Sequence, residues 1–162
     1  MKRSSVGHFN CSIARALDVV GEWWTLLIIR DVFLGVRRFE AIQADLGIAR
    51  NVLSDRLTTL VDSGVLAKRR YQEHPERYEY VLTEMGRDLA PVLATLMQWG
   101  DRWLSPDGPP MVALHRDCGQ PVQWGEVCPH CGVTVDARAL RMVKGPGWRS
   151  DRVTPAAPPS VA

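Results

Sequence analysis

Phe39-Glu40-Ala41-Ile42-Gln43-Ala44-Asp45-Leu46-Gly47 opens the stretch that decides the fold, and Arg50-Asn51-Val52-Leu53-Ser54-Asp55-Arg56-Leu57 follows it. Phe39, Ile42 and Leu46 are apolar at helical spacing, and Gly47 breaks that helix. A second periodic run, residues 50–63, carries Leu53, Leu57, Leu60 and Val61 on one face, and Gly64 stops it. Residues 65–71 then read as a strand, His74-Pro75-Glu76 as a turn, and residues 78–82 as the returning strand. Helix, glycine turn, helix and hairpin in this order predict a winged helix-turn-helix. The expected fold class is mainly α with a small β-hairpin wing, plus a small C-terminal zinc-ribbon-like module.

Outside this stretch, residues 12–20 and 22–34 read as two helices separated by Gly21, the second with Trp24, Leu27, Ile28 and Val32 inward. After the wing, Thr83 suits the N-cap of a long helix reaching about Leu104. Pro91 lies inside that helix and is expected to kink it. The helix has more apolar face than a small domain needs, and a second copy of the chain is the natural partner for it. The expected organisation is a flexible arm at 1–10 and a winged helix-turn-helix domain at 11–104. A linker at 105–110, the cysteine-bearing module at 111–148 and a disordered Pro/Ala-rich tail at 149–162 complete the chain. The sequence discloses no internal repeat.

A formal net charge of +2 is low for a chain whose partner is a polyanion, so the placement of charge matters more than its sum. Arg37 and Arg38 adjoin, Lys68, Arg69 and Arg70 form a run, and Arg77 follows the turn. These are positions at which a winged helix meets phosphates. On the recognition helix the exposed face carries Arg50, Asn51, Ser54, Asp55 and Thr58. Arg and Asn form two hydrogen bonds at once with guanine and adenine respectively. Ser54 and Thr58 reach phosphate or a base edge, and Arg56 is a further phosphate contact. Asp55 orients an arginine or accepts from cytosine. In the wing, Lys68, Arg70 and Arg77 hold the backbone or enter the minor groove. The alternative is an ordinary solvated basic surface. Tyr71, Tyr78 and Tyr80 read as hairpin packing. Trp23 and Trp24 read as core, with an effector pocket as the alternative.

These residues carry a resemblance. Residues 11–18 (CSIARALD), 21–31 (GEWWTLLIIRD), 35–39 (GVRRF), 51–57 (NVLSDRL), 60–66 (LVDSGVL) and 78–86 (YEYVLTEMG) resemble the HxlR-type family of bacterial transcriptional regulators, relatives of the MarR-like winged-helix proteins. Where the family has Pro after its N-terminal Cys, this chain has Ser12. The resemblance covers residues 11 to about 104. It implies a homodimer joined through its N-terminal and C-terminal helices, with two recognition helices in adjacent major grooves of a near-palindromic double-stranded operator. It also implies control of nearby genes, as repressor or activator. Some members use the cysteine at the Cys11 position to sense quinones, aldehydes or oxidants. Cys11 begins the first helix here, where the helix dipole favours negative charge, with Arg15 one turn on. A small electrophile or oxidant is therefore a candidate effector. The alternative is a small residue buried in a dimer interface.

His115-Arg116-Asp117-Cys118-Gly119 and Cys128-Pro129-His130-Cys131-Gly132 form two knuckle-like half-sites. Their spacing suits one structural zinc held by His115, Cys118, Cys128 and Cys131, a closed tetrahedral set with no position for water. His130 lies between the paired cysteines, where the loop is expected to point it outward. A metal-free module with reduced thiols, or with a disulfide, is the alternative. No apolar stretch is long enough to span a bilayer and no signal-peptide core follows the N-terminus, so the expected location is cytoplasmic. An enzyme is not expected: Glu126 is the only carboxylate on the loop between the half-sites. A winged-helix protein-interaction module that does not read DNA is the competing function.

Overall fold

The computed structural model describes residues 5–122, 124–135 and 140–146. The expected tail and the first residues of the arm lie outside them. The described residues divide into two compact units, one running to Thr83 and one spanning Glu84–Met142. The sequence placed that boundary after residue 104; the structure instead groups the last long helix with the cysteine-bearing segment.

In the first unit, α1 (Ser12–Val20) and α2 (Trp23–Phe33) precede α3 (Phe39–Leu46) and α4 (Arg50–Asp62). Strands β1 (Leu66–Gln72) and β2 (Arg77–Leu82) close it as an antiparallel hairpin, Leu66 opposite Leu82 and Lys68 opposite Tyr80. A bulge between Arg70 and Gln72 precedes the turn. Gly47 caps α3 at φ +60°, a left-handed conformation that a Cβ would strain, and so allows the sharp entry into α4. Ile48, in the same turn, is buried and fills the corner between the two helices.

The core is one apolar cluster built on spacing. Ile28, Ile29 and Val32 from α2, Ile42 from α3, Leu53, Leu57 and Leu60 from α4, and Val65 and Leu66 at the wing's base are all buried. Two expectations need adjustment. Leu27 is exposed and Ile29 takes the inward position, because the buried face of α2 also admits Thr25 and Asp31. Val61 is only half-buried, so Leu53, Leu57 and Leu60 anchor α4. Residues 5–10 are tied to α1: the Val6 N–H donates to Asp18 Oδ1 at 2.8 Å and the Ser5 hydroxyl to Oδ2 at 2.6 Å.

The expected single kinked helix after the wing is two helices, α5 (Glu84–Arg87) and α6 (Ala90–Leu104). Pro91 stands in the first turn of α6, where its missing N–H costs nothing; within a continuous helix its ring would strike the carbonyl of Arg87. The Thr83 hydroxyl donates to the Gly64 carbonyl at 2.6 Å, tying the end of β2 to the end of α4. Along α6, Val92, Leu96, Trp99 and Trp103 are exposed, a stripe at i, i+4, i+7 and i+11. On α1, Ile13 and Leu17 are exposed in the same manner. Among the described residues no helix is long and apolar enough to cross a membrane.

Candidate nucleic-acid interface

Burial of three leucines fixes which side of α4 meets solvent. With Leu53, Leu57 and Leu60 inward, Arg50, Asn51, Ser54, Asp55 and Thr58 all lie exposed. Ala49 occupies the N-cap and makes no side-chain cap, so the first backbone N–H groups of α4 are not taken by a capping side chain. The Arg50 guanidinium lies 4.8 Å from the centre of the Phe39 ring. That aromatic face holds a long, flexible side chain at the entrance of the helix.

The wing is broader than the sequence indicated. The Tyr80 N–H donates to the Arg37 carbonyl at 2.8 Å, and Arg38 bridges to Glu79. Residues 37 and 38 thus pair with β2 and present both arginines beside the hairpin. Arg38 stacks 4.3 Å above the Tyr71 ring. Tyr71 and Tyr80 are half-buried, as hairpin packing requires. Burial, and then the charge of Glu40, push the Tyr80 hydroxyl above its ordinary pKa.

The expected basic contacts separate into two groups. Arg37, Lys68 and Arg77 are exposed, and among the described residues their side chains form no ion pair. Arg70 is shared between Glu73 at 3.4 Å and Glu76 at 3.3 Å on the turn. Arg56 is half-buried with Glu22 at 4.0 Å, directed toward the start of α2. Arg69, the middle residue of the basic run, is bound to Glu79 across the hairpin at 2.7 Å. Trp23 is 87% exposed, so it is not the core residue that its composition suggested. A cleft of about 540 Å³ lies in the second unit instead, lined by Met97, Arg102, Met111, Val112, Val122 and Trp124 among others.

Cys11 is the N-cap of α1, half-buried, with its carbonyl accepting from the Arg15 N–H at 3.2 Å. All four cysteines are free thiols. His115 Nδ1 lies 3.2 Å from Cys118 Sγ. Backbone N–H groups of Cys131 and His130 draw the Cys128 thiol below its ordinary pKa. Among the described residues, no three His, Cys, Asp or Glu side chains gather around one point.

The model of the HxlR-like helix-turn-helix family matches residues 19–108. The chain belongs to that family. It is a DNA-binding transcriptional regulator. Rv3095 of Mycobacterium tuberculosis strain H37Rv, assigned as an HTH-type transcriptional regulator, is 47% identical over 140 residues, 86% of this chain and 89% of its own. The crystal structure of PA1607, assigned as a transcription factor, superposes with a TM-score of 0.79 at 37% identity, covering 88% of this chain and all of that one. The redox regulator HypR, in its reduced form, superposes at 0.53 with 28% identity, covering 57% of this chain and 92% of its own. A match of 140 residues cannot fit into residues 1–108, so the likeness to Rv3095 reaches into the cysteine-bearing segment.

Proposed function

We propose that this regulator works as a homodimer that reads a near-palindromic operator. The exposed face of α4 carries the reading: Arg50 and Asn51 project from a helix whose opposite side is anchored by three buried leucines. In this reading α4 enters the major groove. Arg50 and Asn51 meet base edges there, while Ser54, Asp55 and Thr58 face bases or phosphate. The N-terminal N–H groups of α4 suit a phosphate. Arg37, Arg38, Lys68 and Arg77 follow the flanking backbone, with Arg70 and Arg56 contributing once released from their carboxylates. The apolar stripe of α6 and the exposed Ile13 and Leu17 of α1 are covered by a second copy.

Site selection from random duplexes, followed by binding at graded salt, tests the reading. A selected site with two similar half-sites, bound with an affinity that falls steeply as salt rises, is expected. Binding to no duplex above background would instead favour a protein-interaction module, which the low net charge permits.

The same regulator responds to oxidants or electrophiles through Cys11. Its place at the start of α1 and the likeness to a redox regulator support this. Modification there would shift α1 and respace the two recognition helices. Diamide should release the operator from the wild type and not from Cys11→Ser; equal release from both would rule Cys11 out as the sensor.

A further inference from the structure

The two half-sites in the second unit are one hairpin made twice. In the first, the His115 N–H donates to the Gln120 carbonyl, the Gly119 N–H to the His115 carbonyl and the Val122 N–H to the Ala113 carbonyl, each at 2.8 Å. In the second, the Cys128 N–H donates to Val133 at 2.9 Å, the Gly132 N–H to Cys128 at 2.8 Å and the Val135 N–H to Glu126 at 2.8 Å. A bridge between Leu114 and Pro121 in the first has its counterpart between Val127 and Thr134 in the second. Gly119 and Gly132 close the turns at φ +68° and +70°, a region that a Cβ disfavours. The sequence conceals this repeat because only Cys118 with Cys131, Gly119 with Gly132 and Val122 with Val135 keep their identities.

The equivalence assigns roles. His115 occupies the position of Cys128, and Cys118 that of Cys131. His130 occupies the position of Asp117, the outer residue of the turn. Tetrahedral zinc, with Zn–S about 2.3 Å and Zn–N about 2.0 Å, places a sulfur and a nitrogen roughly 3.5 Å apart. His115 Nδ1 and Cys118 Sγ already stand at 3.2 Å, while His115 Nε2 faces Asp117 Oδ2 at 3.9 Å. A carboxylate on that side is the usual partner of a ligating imidazole.

Little else would hold this segment together. Met111, Val112, Leu114, Val127 and Val133 are all more than half exposed, so among the described residues the hairpins bury little apolar surface. One contact fixes the chain between them. With the Gln98 amide turned to satisfy both its atoms, it donates to the Trp124 carbonyl at 2.9 Å and accepts from the Trp124 N–H at 2.6 Å. The connection between the hairpins is thereby pinned to α6.

We infer that the two hairpins are halves of one structural zinc site, held by His115 Nδ1 and the sulfurs of Cys118, Cys128 and Cys131, with His130 outside it. Zinc closes the halves on each other and, through Trp124 and Gln98, fastens the module to α6. Four protein ligands leave no place for water, so the ion holds structure and performs no catalysis.

Metal analysis of the full-length chain tests the first part. About one zinc per chain is expected, released when a mercurial titrates the thiols. Cobalt substitution and X-ray absorption should report three sulfurs and one nitrogen. His115→Ala should weaken zinc binding about 100-fold or more, His115→Cys should retain it, and His130→Ala should leave it unchanged. Zinc-free protein that takes up no cobalt overturns the site. Loss with His130→Ala but not His115→Ala overturns the ligand assignment. Gln98→Ala should leave the zinc content unchanged and speed hydrogen exchange in α6 and around Trp124; unchanged exchange overturns the link to α6. None of these readouts depends on operator binding.

Discussion

Arg50 shows how one side chain is placed by a neighbour that the sequence does not nominate. Its guanidinium rests on Phe39 of the preceding helix, so α3 holds the side chain at the start of α4 that is proposed to meet a base edge. Arg50→Ala is expected to weaken binding to the selected site by about 1–3 kcal/mol and to relax specificity at one base pair. Titration against single-substituted duplexes checks this. Asp31 is the contrasting case, a wholly buried carboxylate. Its Oδ1 accepts from Arg30 at 2.6 and 3.0 Å, while Oδ2 has no partner among the described residues. Burial outweighs Arg30 and raises its pKa above the ordinary 3.8. The folded state therefore holds this proton more tightly than the unfolded chain. The contribution to stability is full below the unfolded pKa and is lost as pH rises through the folded one. Denaturant unfolding of wild type and Asp31→Asn should show the wild type losing ground from about pH 4 upward. The opposite trend would mean that Arg30 outweighs burial.

At the scale of elements, α4 and the wing divide the labour between packing and charge. Leu53→Ala removes a fully buried side chain behind the exposed face of α4 and should cost about 2–5 kcal/mol in thermal or denaturant unfolding. Lys68 and Arg77 are exposed cations on opposite strands, without ion pairs among the described residues. Replacing either with Ala should lower the slope of log affinity against log salt by about 1, nearly alike for all duplex sequences. Arg69→Ala should change that slope less, because Glu79 already neutralises Arg69. The helices and strands were largely legible, since α1, α3, α4 and both strands fall within a residue or so of where apolar spacing and glycine breaks place them. The segment after the wing was not. Local periodicity cannot tell a kinked helix from two helices meeting at Pro91, because both keep the same apolar face.

At the scale of the molecule, an exposed stripe with two tryptophans is the chief unmet demand. Trp99→Asp should shift the chain toward monomer in light scattering and weaken operator binding, while unfolding of the first unit changes little. A variant that stays dimeric would place the interface elsewhere. Most of the proposed DNA-facing residues could be read from the sequence, because the leucines that must be buried leave Arg50, Asn51, Ser54, Asp55 and Thr58 on the other side of any helix they share. By itself the sequence determined where α1 to α4 begin and break and most of their apolar positions, since those depend on residues within a turn or two of one another. Tertiary structure alone decided which charges are already spoken for, Arg56 by Glu22 and Arg69 by Glu79. It alone showed that residues 37 and 38 extend the wing and that the two cysteine hairpins are equivalent. Such pairings depend on distances between positions far apart in the chain, and these are set only when the core has packed.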